Sequence, residues 1–131
     1  MVERVRFKQQ DAARALEALR AILSEPYTVI VRDAAIQRFE FTFEAVWKYL
    51  REFLRTQEGI LCNSPKSCFR ECFSLGLIGE EQTLKLLEMT DDRNLTAHTY
   101  KEEVSQLIFE KLPLFFEALT ALFSRLLPAP R

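Results

Sequence analysis

A polar segment in the last third of the chain carries the side chains best suited to chemistry. Arg93 and Asn94 are followed in it by His98 and Tyr100. Arg93 offers a planar guanidinium fork that suits a phosphate group, and the one histidine of the chain has an ordinary pKa near neutrality. A proton carrier beside a fixed positive charge is a minimal set for cleaving a phosphodiester bond. This segment is therefore the candidate site.

A structural role for the same residues is the alternative. Asn94 and His98 are four residues apart, which predicts that they share one face of a helix. At the C-terminal end of that helix a histidine also stabilises the helix dipole, and Arg93 has Glu88 and Asp91 within reach as ion-pair partners. The spacing alone does not separate the two interpretations.

Composition limits the classes of protein that this chain can belong to. It has 131 residues, a net charge of −1, 48% hydrophobic and 28% charged residues, which indicates one globular domain over residues 1–131. The balanced charge excludes a strongly basic nucleic-acid-coating protein. A single histidine excludes sites that need two from one chain, and three glycines argue against a glycine-rich phosphate loop.

The cysteines and the chain ends suggest a cytoplasmic protein without a metal site. Cys62, Cys68 and Cys72 are an odd number in a chain with no visible targeting peptide, which predicts reduced thiols. The close pairing of two ligands that is typical of zinc sites is missing. Charged residues interrupt the apolar stretch near the C-terminus, so we expect no membrane span.

Hydrophobic periodicity predicts an all-α fold, an antiparallel up-and-down four-helix bundle with one short extra helix. The five helices are expected at about Val5–Ser24, at about Asp33–Gln57, from Pro65 to the Leu75–Gly76 stop, from Gly79 to about Ala97 or His98, and from Tyr100 onward. Ser64 is the expected N-cap of the third helix. Thr99 and Glu102 form a capping-box pattern before the fifth helix, which contains Pro113.

Three details of helix packing follow from the same pattern. Leu84, Leu87 and Leu95 are expected to face inward from the fourth helix. Tyr27–Val31 has no partner strand, so we interpret it as a packed connector or the start of the second helix. Phe41 lies off the apolar stripe of the second helix and is a candidate for a dimer or partner surface.

Three segments of the chain resemble a known family. They are Arg38–Glu44 with Trp47 and Lys48, Ser64–Lys66 leading to Phe69–Glu71, and Arg93–Asn94 through His98 and Tyr100. The last resembles the R-x4-6-H motif of HEPN domains. The three in this order resemble the nucleotidyltransferase substrate-binding proteins, which are the HEPN partners of minimal nucleotidyltransferases, over about Val5 to Leu127.

The resemblance implies a function and a mechanism. Such domains form homodimers in which two motifs face each other, and many act as metal-independent RNase toxins without a cofactor. The resemblance assigns Arg93, Asn94 and His98 to catalysis. It also implies that a nucleotidyltransferase partner acts as antitoxin by adding adenylyl groups to Tyr100. A non-catalytic subunit that binds nucleotide or substrate for the transferase is the alternative, and packing at the start of the fifth helix is the structural alternative for Tyr100.

The single histidine bears on this mechanism. Cleavage through the 2′-hydroxyl needs a base and an acid, and one His98 cannot serve as both at once, so a composite site in a dimer is expected.

Several other basic side chains either line a path for RNA or form an ordinary solvated face. They are Arg4, Arg6, Lys8, Arg51, Arg55, Lys66 and Arg70.

Overall fold

Five α-helices build the fold in the computed structural model, which describes residues 2–127. They are α1 (Val2–Leu23), α2 (Val29–Phe53), α3 (Pro65–Ser74), α4 (Glu80–Leu95) and α5 (Glu102–Arg125). A π-helical turn, Leu54–Glu58, extends α2, and a 3-10 turn, Thr96–His98, follows α4. No strand occurs within the described range. The predicted all-α bundle of four long helices and one short one is confirmed.

The core lies where α1, α2 and α5 pack together, and buried side chains of α3 and α4 belong to the same cluster. Phe39 and Phe43 are buried, as predicted. The ring of Phe39 stacks on Phe115 of α5 at 5.6 Å, and Phe43 meets Phe69 of α3 edge-on at 6.0 Å. These aromatic contacts hold α2 against both neighbours, and each adds to the free energy gained from burying the rings. Phe41 points away from them and is 60% exposed.

Local capping signals decide where two helices begin. The Thr28 side chain accepts a hydrogen bond from the Val31 amide at 3.0 Å, so α2 starts at Val29. The Tyr27–Val31 run is therefore mostly the start of α2, which was one of its two predicted interpretations. Ser64 caps α3 as predicted, in a reciprocal pair with Ser67, and Pro65 takes the first helical position.

The predicted inward face of α4 is wrong for Leu84 and Leu95, which are 59% and 39% exposed. Leu87 is partly buried and packs against the core, as predicted. The positions that α4 buries are Thr83, Leu86, Met89, Thr90 and Asp92. Thr83 and Thr90 donate their hydroxyl hydrogens to the carbonyl four residues earlier, at 2.7 and 2.8 Å. Because their polar groups are satisfied inside the helix, threonines occupy positions that the leucines were expected to fill.

The start of α5 also differs from the prediction. The helix begins at Glu102, so Tyr100 lies in the preceding turn, and the expected capping box of Thr99 and Glu102 does not form. Glu102 instead accepts hydrogen bonds from Arg32, whose side chain is only 3% exposed. Arg32 also donates to Asp33 at 3.1 Å. The demand of this buried guanidinium for carboxylate partners outweighs the local capping pattern.

The prediction of reduced thiols is wrong for two of the three cysteines. Cys62 and Cys68 form a disulfide with their Cα atoms 5.3 Å apart, because the loop before α3 folds back onto its first turn. Cys72 is free and buried, and burial raises the pKa of its thiol to about 12. Among the described helices, none combines the length and apolarity that a membrane crossing requires.

Candidate functional site

The motif residues follow one another across three local conformations. Arg93 and Asn94 lie in the last turn of α4, His98 ends the 3-10 turn, and Tyr100 lies in the turn before α5. The α-helix predicted to carry both Asn94 and His98 ends at Leu95, so His98 lies in the 3-10 turn that continues it.

The guanidinium of Arg93 is held by contacts on two sides. Its Nη1 donates to Thr96 Oγ1 at 3.2 Å and lies 3.8 Å from Oε2 of Glu40 on α2. The Thr96 hydroxyl in turn donates to the Arg93 carbonyl at 2.6 Å. Arg93 Nε is buried and has no hydrogen-bond partner in the described part of the chain. Arg93 is thus oriented through its Nη1 atom by Thr96 and Glu40.

Glu88 and Asp91, the ion-pair partners predicted for Arg93 on α4, bind lysines instead. Asp91 accepts a hydrogen bond from Lys66 of α3 at 2.7 Å. Glu88 lies near Lys85 and Lys111, at 3.6 and 3.4 Å. The carboxylate beside Arg93 comes from α2 instead.

Arg93 and Asn94 line a cleft of about 330 Å³ between α2, α3 and α4, which we call the motif cleft. Its walls are Phe43, Glu44, Ser64, Pro65, Lys66, Thr90, Arg93 and Asn94. All three segments that carry the family resemblance therefore contribute to one cleft, although they are distant in the chain. Lys66 and Arg93 bring positive charge to it and Glu44 brings negative charge.

His98 and Tyr100 are exposed on the turn that follows α4, and neither of them lines the motif cleft. Tyr100 is 77% exposed, and its ring meets the His98 ring edge-on with centroids 6.0 Å apart. Lys101 Nζ lies 5.9 Å from the centre of the Tyr100 ring. Tyr100 does not pack into the bundle, so the alternative role predicted for it, packing at the start of the fifth helix, is wrong. Both side chains are accessible to another macromolecule.

The backbone of that turn is fixed by hydrogen bonds. Ser105, which is buried in α5, donates to the Thr99 carbonyl at 2.8 Å. Thr99 donates to the Thr96 carbonyl at 3.4 Å, and the Lys101 amide donates to the His98 carbonyl at 3.1 Å. The turn is anchored to both α4 and α5.

Sequence reasoning assigned no role to Glu40, Thr96 or Ser105, which position the motif. Thr96 lies three residues after Arg93, a spacing that favours contact in a helical turn. Glu40 lies within the first family segment but is 53 positions from Arg93, so no local pattern predicts their contact.

A comparison with known families finds one that covers most of the chain. The model of the family described as "nucleotidyltransferase substrate binding protein like" matches residues 7–127. Among curated proteins, the probable ribonuclease HepT of Haemophilus influenzae is 32% identical over 94 residues. That alignment spans 66% of this chain and 63% of the relative, so the chain spans under two thirds of the relative's length.

Solved structures share the fold. A crystal structure of a Thermus thermophilus protein has a TM-score of 0.84 and 42% identity, and the match covers 88% of this chain and 98% of that protein. A tri-AMPylated HEPN toxin of Shewanella oneidensis, in complex with MNT antitoxin, has a TM-score of 0.74 at 16% identity. That match covers 93% of this chain and 95% of the toxin, and at this identity it demonstrates the fold alone.

Proposed function

Because this chain belongs to the nucleotidyltransferase substrate-binding protein family of HEPN type, we propose that it is the partner of a minimal nucleotidyltransferase and acts as a metal-independent RNase toxin. The observation that carries the proposal is the motif cleft. In it the guanidinium of Arg93 is oriented by Thr96 and Glu40, and Asn94 is a further lining residue. His98 lies outside the lining of the cleft, on the anchored turn that follows α4.

The chemistry assigns one role to each residue. His98 of one protomer takes the proton of the RNA 2′-hydroxyl as the 2′-oxygen attacks phosphorus. His98 of a second protomer gives a proton to the leaving 5′-oxygen. Arg93 stabilises the negative charge of the pentacovalent phosphate, and Asn94 orients His98 or binds a phosphate oxygen. The proposed active form is therefore a homodimer.

Tyr100 is the proposed site of control by the nucleotidyltransferase. Its exposed hydroxyl oxygen attacks the α-phosphorus of ATP, loses its proton and releases pyrophosphate, which leaves an adenylyl group on the tyrosine. The added phosphate is negative and competes with RNA for Arg93, and the nucleoside blocks access to His98.

An RNase assay on the purified protein tests the catalytic part. We expect His98→Ala to lower the rate of RNA cleavage by about 10²–10⁴-fold, the usual contribution of a positioned proton carrier. Lys101→Ala, an exposed change in the same turn, serves as the control and should retain the rate. Equal cleavage by His98→Ala and the parent would refute the proposal. Growth arrest on expression alone, relieved by His98→Ala, distinguishes a toxin from a binding subunit without catalysis.

Intact-mass measurement tests the control step. After incubation with the cognate nucleotidyltransferase and ATP, the parent should gain the mass of whole adenylyl groups and Tyr100→Phe should gain none. Tyr27→Phe removes another exposed tyrosine hydroxyl and should behave like the parent. A mass gain that persists in Tyr100→Phe contradicts the assignment.

A further inference from the structure

The C-terminal end of α2 holds a cluster of arginines around one buried carboxylate. The side chain of Glu52 is 4% exposed and binds Arg4 of α1 at 3.0 Å. Arg55 donates to both Glu52 oxygens, at 2.9 and 3.3 Å. Arg51 lies over the ring of Trp47, with its guanidinium carbon 4.9 Å from the ring centre. The hydrogen bond from Arg55 and the charges of Arg4 and Arg51 hold the pKa of Glu52 below its usual range.

These residues line a cleft of about 400 Å³, which we call the arginine cleft. Its lining residues are Arg4, Arg51, Glu52, Arg55, Ile60, Leu61, Cys62 and Asn63. One carboxylate faces three guanidinium groups, so the cleft has an excess of positive charge.

The arginines are oriented before any ligand arrives. Glu52 fixes Arg4 and Arg55, while the indole of Trp47 fixes Arg51. Because these side chains are already held, an anion that binds them loses less side-chain entropy on binding. Planar, oriented guanidinium groups match the oxygen geometry of phosphate.

The arginine cleft adjoins the motif cleft. Asn63 lines the arginine cleft and the next residue, Ser64, lines the motif cleft, so one loop forms a wall of both. Along α2, Glu44 lines the motif cleft and Arg51 follows seven residues later. Seven residues are nearly two turns, which places both on one face about 10 Å apart. A single-stranded RNA bound in one cleft would therefore extend toward the other.

Two lysines outside the arginine cleft are paired with carboxylates of α4. Lys66 binds Asp91, and Lys111 binds Asp92 at 2.9 Å. With a net charge of −1 for the chain, RNA affinity must arise from a local excess of positive charge. We propose that the arginine cleft binds a backbone phosphate of the same single-stranded RNA whose scissile phosphate lies at Arg93. This inference rests on the proposed RNase function, since it names a second binding point for its substrate.

Fluorescence anisotropy with a labelled single-stranded oligouridylate tests the inference. All variants carry His98→Ala, so the measurement records binding without cleavage. Replacing both Arg51 and Arg55 with Gln should weaken binding by about tenfold, as expected for the loss of charge-assisted hydrogen bonds. The slope of log K against log salt should fall by about 0.7 for each phosphate that the variant no longer neutralises. Replacing Arg14 and Arg20 of α1 with Gln removes the same charge and should change neither quantity.

A second variant guards against misfolding. Arg51→Gln alone leaves the hydrogen bonds of Glu52 intact and should still weaken RNA binding and lower the salt slope. Unchanged affinity and slope in the double variant overturn the proposal. So does a loss confined to the double variant, because a disrupted Glu52 cluster would then explain it. If inorganic phosphate competes with the oligonucleotide equally in parent and double variant, phosphate binds elsewhere and the proposal also fails.

Failure of this inference is distinguishable from failure of the proposed function. If His98→Ala cleaves RNA as fast as the parent, the RNase assignment falls, while weaker binding by the Arg51 and Arg55 variants still supports the cleft. If His98→Ala abolishes cleavage and these variants bind as the parent does, the RNase assignment stands and the arginine cleft is refuted.

Discussion

Glu40 is the carboxylate that competes with a phosphate group for Arg93. Its Oε2 lies 3.8 Å from Nη1 of Arg93. Glu40→Gln preserves the size of the side chain and removes its charge, while Thr96 continues to hold the guanidinium from the other side. We therefore expect Glu40→Gln to bind RNA more tightly than the parent.

The size of the effect follows from the distance and the exposure of the pair. Two unit charges 3.8 Å apart attract by about 1 kcal/mol in bulk water and by about 4 kcal/mol at an effective dielectric constant near 20. The side chains of Arg93 and Glu40 are 28% and 32% exposed, so solvent screening favours the lower value, as in exposed ion pairs generally. A competition of about 1 kcal/mol corresponds to about a fivefold change in Kd.

Anisotropy with a labelled oligouridylate, in the His98→Ala background, measures this change. Kd should fall about fivefold in Glu40→Gln, and the gain should shrink as added salt screens the pair. Glu17→Gln provides the control, since it removes an exposed carboxylate that binds Arg20 on α1 and alters net charge equally. Unchanged binding by Glu40→Gln would refute the competition. Weaker binding would also refute it, and would show that the charge of Glu40 favours RNA binding by holding Arg93 in position.

Two further predictions concern the bundle itself. The Tyr49 hydroxyl donates to a main-chain carbonyl at the end of α5, at 3.0 Å and fully buried, so Tyr49→Phe should lower the free energy of unfolding by about 1–2 kcal/mol in urea denaturation. Tyr27→Phe, at an exposed site, should cost much less, and equal losses would contradict this reasoning. With Cys62 and Cys68 joined and the pKa of Cys72 near 12, native protein should release no chromophore in a thiol titration. The denatured protein should have one reactive thiol, and the denatured and reduced protein should have three. Two or more reactive thiols in the native protein would contradict the disulfide.

Local signals predicted most of the helical framework. The apolar spacing along α2 marks Phe39 and Phe43 as core residues, and Ser64 with Pro65 marks the start of α3. Both depend on residues within a few positions of one another, so a single sequence contains them. The identity of the motif residues was available in the same way, although their roles stay predictions.

Three features of the structure were not predicted from the sequence. Glu102 does not form the predicted capping box with Thr99, because it accepts hydrogen bonds from the buried Arg32, 70 residues earlier in the chain. The disulfide of Cys62 and Cys68 depends on the fold of a loop whose composition has no special signal. The face of α4 was misassigned because buried Thr90 satisfies its own hydroxyl within the helix, which hydropathy does not register. For Glu102 a distant tertiary contact outweighs a local preference, whereas the disulfide and the threonine hydrogen bond are local contacts that composition and hydropathy do not reveal.

The hydrogen bonds that anchor the turn between α4 and α5 reduce the conformational entropy that this turn loses when a partner binds. Thr96 and Ser105 hold its backbone while the side chains of His98 and Tyr100 stay exposed. Ordering a free loop would cost about 1–2 kcal/mol per residue on binding. Here a partner restricts only side-chain rotamers, at about 0.5–1.5 kcal/mol each. RNA and the modifying enzyme would therefore meet the same backbone, and the affinity of each depends on side-chain chemistry more than on loop closure.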